Sequence, residues 1–166
     1  MLPPHIHEVH AGMALGLVSA DGVVGWAGNV LSQDCDTKSL RILAGLEPPL
    51  DHNEVQQLFA LVFKEQGIQT RPSDQHVALY TTSLLEEMRQ GKLARKETLR
   101  RLADLHLARH YDDQLRDFYL LYHAKWDLES EPVQWYWANA DRSNIDRVID
   151  EYAASWLGRH PSESSP

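Results

Sequence analysis

A single cysteine in 166 residues, Cys35, leaves no internal disulfide to hold the fold and fits a reducing compartment. No apolar run approaches the ~18 residues needed to span a bilayer, so no transmembrane helix is expected. The opening Met1-Leu-Pro-Pro-His-Ile-His-Glu8 has no basic stretch followed by an apolar one, and a secretory leader is not expected. The expected location is therefore cytoplasmic. Basic side chains are in short supply: 16 Lys and Arg stand against 24 Asp and Glu, for a formal charge of −8. Phosphate contacts need clustered Lys and Arg, which argues against nucleic acid as the main partner and leaves a basic protein as a compatible one. Period-two alternation is lacking too. Val23-Val24 and Gln75 to Tyr80 are the only places where a strand is imaginable. Gly22, Gly25 and Gly28 recur every third residue but follow no strand and do not form the phosphate-binding GxGxxG pattern, so no cofactor is expected.

What the chain does have is helical periodicity with punctuation. Val9, Met13 and Leu17 mark a first helix over 5–18 after Pro3-Pro4. Val23, Trp26, Ala27, Val30 and Leu31 mark a second over 22–32, whose three glycines would allow close helix approach. Asp36 is placed to cap a third helix ending near Leu46, and Pro48-Pro49 stops it. Asp51-His-Asn-Glu54 resembles a capping box ahead of Val55, Leu58, Phe59, Val62 and Phe63, with Gly67 as the left-handed stop. A fifth helix runs from Ser73 or Asp74 to Gln90, with Gly91 beyond it, and a sixth spans about Arg95 to Ala108. A seventh opens at Asp112 or Asp113 and carries Leu115, Phe118, Tyr119, Leu121 and Tyr122. An eighth follows Ser143, with Ile145, Val148, Ile149, Tyr152 and Trp156 as its stripe. The expected fold is all-α: one domain over 1–160, about eight helices in consecutive hairpins forming a bundle or a short curved stack, and a flexible tail at 161–166.

Charge is segregated. Residues 112–157 carry ten acids and four bases, whereas 86–109 carry seven bases and four acids. The basic helix can neutralise the acidic third internally or bind something else. Arg95, Lys96, Arg100 and Arg101 lack the interleaved aromatics of a nucleic-acid face and read as a solvated helix surface. In the acidic third, Trp126, Trp135 and Trp137 fall within twelve residues among carboxylates. Apolar rings rimmed by negative charge suit a protein-binding face, because aromatics supply contact area and acids select a basic partner. The competing reading is that Trp135-Tyr136-Trp137 closes the end of the core. In extended chain Trp135 and Trp137 share a face and in a helix they diverge, so at least one ring is expected to stay accessible. Tyr119, Tyr122 and Trp126, spaced three then four, read as a core stripe. The expected partner-binding residues are Glu129, Glu131, Trp135, Trp137 and Asp141, with Asp112 and Asp113 next.

Catalytic arrangements are weak. His5, His7 and His10 with Glu8 are the densest metal-ligand cluster, yet Glu8 precedes His10 by two, so the HExxH signature fails. His106 and His110 are four apart with Asp104 nearby, which fits a helix end at least as well as a ligand pair. Cys35 lies between Asp34 and Asp36, which disfavour a thiolate. No catalytic residue and no metal site are expected. A metal-dependent hydrolase using these His and carboxylate clusters, or a helical adaptor taking a peptide in a groove, are the alternatives.

The strings Leu40-Arg-Ile-Leu-Ala-Gly-Leu46, Glu54-Val55, Asp117-Phe-Tyr-Leu-Leu-Tyr122, Trp135-Tyr-Trp137, Asn144-Ile145 and the Tyr152-to-Trp156 helix resemble small acidic bacterial immunity proteins of toxin systems. The resemblance covers most of the chain through packing-type motifs and transfers no catalytic residue. It implies a non-catalytic protein that binds a cognate toxin, often a basic nuclease, and blocks its active site.

Overall fold

The computed structural model describes residues 3–161. The remainder of the expected tail, 162–166, lies outside the described residues. The fold is all-helical: α1 (Ile6–Ala14), α2 (Ala20–Leu31), α3 (Lys38–Ala44), α4 (His52–Glu65), α5 (His76–Arg89), α6 (Arg95–Ala108), α7 (Arg116–Ser130) and α8 (Ile145–Arg159), with 3-10 turns at Ser73–Gln75 and Asp113–Leu115. Among the described residues there is no strand, and no helix is long and apolar enough to cross a membrane.

Local chemistry sets the helix ends. Ser19 Oγ accepts from Gly22 N–H at the start of α2, and Asp51 Oδ1 accepts from Asn53 N–H and Glu54 N–H at the start of α4. The cap of α3 is Thr37, whose Oγ1 accepts from Leu40 N–H, whereas Asp36, expected in that role, pairs with Arg41 at 2.7 Å. Glu65, at the end of α4, reaches the first turn of α3 and accepts from Ser39 N–H and Ser39 Oγ–H at 3.0 and 2.7 Å. Those bonds hold its carboxyl below the usual range. Gly67 and Gly91 take the left-handed stops that the sequence assigns them. Ser73 and Asp74 lie in a 3-10 turn that leads into α5.

Contacts group the chain into two compact units, one ending at Tyr80 and one beginning at Thr81. In the first, α2, α3 and α4 bury Val23, Ala27, Val30, Leu40, Leu43, Val55, Phe59, Val62 and Phe63, and α1 adds Ile6 and Met13. Trp26 packs edge-on to Phe59, with centroids 5.2 Å apart, and donates its indole N–H to Pro4 O at 2.8 Å. Two expectations fail here. α1 ends at Ala14, which leaves Leu17 exposed. Gly25 and Gly28 face open space, and the real close approach is at Gly12, where a Cβ would collide with Val18 and press on Tyr80.

In the second unit, α6 and α7 pack most closely, and α8 joins them through Phe118, whose ring meets Trp156 at 5.3 Å and Tyr152 at 5.1 Å. Leu85, Leu99, Leu102, Leu115, Leu121 and Ile149 are the other large side chains fully buried here. The segregated charges meet here: Arg95 of α6 forks onto both oxygens of Asp150 of α8, Lys96 of α6 meets Glu129 of α7, and Lys125 of α7 meets Asp146 of α8. Half-exposed pairs of this kind contribute about 1 kcal/mol or less each, so they orient the helices more than they stabilise them.

Within α4, Phe59 is 1% exposed and Leu61 is 44% exposed. Replacing Phe59 by Ala should cost about 3–5 kcal/mol in denaturant unfolding, from lost burial plus the cavity left behind. Leu61→Ala should stay within about 0.5 kcal/mol.

Candidate functional site

α7 is apolar on two faces. Phe118, Leu121, Ala124 and Leu128 are buried. The other face carries Tyr119, Tyr122, His123 and Trp126, partly or largely in solvent. The expected core stripe of Tyr119, Tyr122 and Trp126 is thus an outer strip, because the aliphatic set, offset by one position, takes the core. The rings touch in series. His106 meets Tyr111 at 5.6 Å and Tyr119 at 5.0 Å between centroids, Tyr119 meets His123 at 4.5 Å, and His123 meets Tyr122 at 5.3 Å and Tyr136 at 5.2 Å. Tyr122 continues to Trp126 at 6.1 Å. Edge-on and tilted pairs at these separations are mutually attractive and restrain one another.

The loop after α7 is organised by Gln134, which is 7% exposed. Its Oε1 accepts from Tyr136 N–H and Trp137 N–H, both at 2.8 Å, and its Nε2 donates to Trp137 O and to Ala140 O, the latter at 2.9 Å. One carboxamide thereby satisfies four backbone groups. The result is directional: Trp137 turns in against Tyr152 at 5.6 Å, whereas Trp135 is thrown out and is 90% exposed. Val133 and Tyr136 flank it in solvent. Tyr152 donates to Asp117 Oδ2 at 2.9 Å, and burial, followed by that bond, pushes its hydroxyl up to about 12.

The expected acids divide. Glu129 is engaged by Lys96 at 2.6 Å, and the same ammonium lies 4.4 Å from the centroid of the Trp126 ring. Asp141 accepts from Ser143 N–H, Ser143 Oγ–H and Asn144 N–H, and Asn144 Oδ1 accepts Asp141 N–H in return. It organises the entry to α8, and the Ser143 bonds hold its carboxyl low. Asp112 caps the 3-10 turn through Gln114 N–H, faces Arg109 at 3.5 Å, and offers its backbone O to His106 Nδ1 at 2.8 Å. Asp113 and Glu131 are exposed. Asp112 and Asp113 precede α7 and Glu129 and Glu131 lie at its far end, a separation of about 22 Å for 15 residues. Glu129 is thus joined to Trp126 through Lys96, Glu131 and Trp135 follow in the loop with both exposed, Trp137 and Asp141 are local supports, Asp112 meets the ring series at His106, and Asp113 is exposed before α7. Gln134, Tyr111 and Val133 were missed. Pro132 and the break in periodicity signal a loop at that point, but not which side chain closes it.

The other candidates resolve differently. His106 is buried, while His110 follows α6 with φ 54° and is exposed. His5 is exposed with φ 58°, whereas His7 and His10 pack on Phe63 at 5.9 and 5.1 Å, and His10 also meets His76 at 5.4 Å. Among the described residues no three His, Cys, Asp or Glu side chains are placed to hold an ion. Cys35 is buried. Arg100 and Arg101 are engaged by Glu97, whose carboxyl they hold down at about 2, and Arg100 also by Asp104. A cavity of about 170 Å³ beside His10 is lined by His52, Gln56, Phe59, Phe63 and Thr70, among others.

Gln134→Leu keeps the side-chain volume and strands four backbone groups. It should lower stability by about 1–3 kcal/mol in denaturant unfolding. Burial holds His7 and His10 below 6.5, with help from Arg71 for His7 and from His76 and His7 for His10, while Glu8 opposes the shift at His7. The unfolded chain takes up these protons at higher pH than the folded one. The stability they contribute is full above pH 6.5 and is lost as pH falls from there toward the folded values. Unfolding midpoints measured from pH 7.5 to 5 should fall more for the parent than for a His7→Gln/His10→Gln variant.

Compared with known protein families, curated proteins and solved structures, the chain matches none.

Proposed function

We propose that this chain is a non-catalytic protein-binding module, an immunity-type inhibitor that covers the active site of a basic toxin domain. The observation that carries the reading is Trp135, 90% exposed on a loop whose backbone is held by Gln134. A large apolar ring kept in water by a hydrogen-bonded loop is already in a bound-like conformation, and a partner burying it meets little ordering cost. Tryptophan is among the side chains most often responsible for the bulk of interface energy. Glu131 and Asp113, both exposed, supply negative charge at the two ends of the face. Such charges act on encounter rate and on choice of partner more than on final affinity.

Inhibition of this kind needs no bond-breaking group on the inhibitor. Its elements are steric cover from α7 and the following loop, apolar burial at Trp135, and steering by the surrounding carboxylates. A bacterial and cytoplasmic setting goes with this reading, as does the resemblance of Trp135-Tyr-Trp137 and the α8 stripe to immunity proteins.

The test is co-expression with the protein encoded beside this one, followed by size-exclusion chromatography and binding kinetics. A stoichiometric complex that suppresses the neighbour's toxicity is expected. Trp135→Ala should weaken it by tenfold or more, about 1.4 kcal/mol or above, with an unchanged unfolding midpoint. Glu131→Gln with Asp113→Asn should slow association and flatten its salt dependence. A complex indifferent to all three substitutions, or substrate turnover by this chain that disappears on replacing a histidine, would contradict the reading.

A further inference from the structure

We propose that the cavity between α1 and α4 is a binding site for a small uncharged molecule with one aromatic ring and an oxygen that accepts a hydrogen bond. The site is separate from the Trp135 loop, and the inference does not rest on the reading above.

Size and shape come first. The cavity measures about 170 Å³ and is lined from α1 by His10 and Met13 and from α4 by Gln56, Phe59, Ala60 and Phe63, among others, all within the unit that ends at Tyr80. An apolar cavity of about 150 Å³ takes benzene, so one ring with a short substituent fits. Met13, Phe59 and Phe63 are buried and make the apolar side. Gln56, Ala60 and Thr70 are exposed, so the cavity opens to solvent. His10, Phe59 and Phe63 meet ring to ring, with centroids 5.1 to 6.1 Å apart and planes inclined by 52° to 68°. A guest ring extends this edge-on arrangement. Water against the same rings lacks the polar partners that an ordered water needs, and is displaced without loss.

Charge narrows the class. No Asp, Glu, Lys or Arg lines the cavity. His10 supplies no charge at neutral pH, because burial, followed by His76 and His7, holds its pKa below 6.5. An ion entering here would lose hydration and gain no counter-charge.

The hydrogen-bond inventory fixes the substituent. Nδ1 of His10 is enclosed and has no hydrogen-bond partner. A neutral imidazole carries one N–H and one bare nitrogen. An enclosed N–H without an acceptor is the costlier of the two to leave unpaired, so the proton belongs on Nε2. The ring lines the cavity with its Nδ1 side closed off, and the Nε2–H donor is what it has to offer. A phenolic oxygen accepts that bond, and its own proton is free for the carboxamide of Gln56 or the hydroxyl of Thr70.

The test uses four one-ring probes: 4-methylphenol, toluene, benzoate and benzylammonium. Binding to the full chain is read from NMR shifts of the His10 imidazole and the Met13 methyl. 4-Methylphenol should bind saturably with a Kd of about 1 mM or below, and each of the other three at least about tenfold more weakly. His10→Phe keeps a ring and removes an unpartnered nitrogen, so it should leave the unfolding midpoint intact and bring 4-methylphenol down to the toluene level. Ala60→Leu, at an exposed position, should fill the cavity and abolish binding without lowering the midpoint. Toluene or a charged probe binding as tightly as 4-methylphenol would overturn the inference. So would binding indifferent to both substitutions, or no saturable binding by any probe.

Discussion

A single carboxamide decides what the C-terminal unit shows to solvent. Gln134 is buried, and its two ends close a loop whose backbone would otherwise have no regular partners. Buried backbone groups without partners are costly, so the loop has one favourable arrangement and little freedom to leave it. That arrangement sends Trp137 inward onto Tyr152 and Trp135 outward. Exposure of Trp135 is thus a consequence of satisfying the backbone, which is how a fold keeps an apolar ring in water without losing order elsewhere.

The face around Trp135 is also defined by what the charges do elsewhere. The bases of α6 are engaged by acids of α7, α8 and α6 itself, through Arg95 with Asp150, Lys96 with Glu129, and Arg100 with Glu97. Internal pairing of this kind neutralises the basic patch and several acids while leaving them half-exposed. Among residues 112–157, Asp113, Glu129, Glu131, Asp141, Asp146 and Glu151 remain exposed. The rings from Tyr119 to Trp135 thus stand in a surface rich in negative charge, where apolar area supplies contact and charge acts as a filter.

Much of this fold is legible in the sequence because its helices carry their own stops. Arg95–Ala108 follows from periodicity, Asp51 from its position before an apolar stripe, and Gly67 and Gly91 from their need for positive φ. Orientation was harder to read. In α7 two apolar faces compete, and a spacing of three and four says that Tyr119, Tyr122 and Trp126 lie together without saying which way they point. Burial of Phe118, Leu121 and Leu128 settles it, and that depends on α6 and α8. Asp141 and Asp112 carry charge suitable for a partner, yet each is drawn into local turns by backbone N–H groups a few residues away. Gln134 was not legible at all, because its partners are backbone atoms that converge only once the loop has formed.

The central claim is that the Trp135 loop is ordered before any partner arrives. Hydrogen exchange at the backbone amides of Tyr136 and Trp137 in the isolated protein tests it most directly. Both donate to Gln134 Oε1, so their exchange should be strongly slowed although they flank a solvent-exposed indole. Exchange at the rate of an unstructured chain would contradict the account.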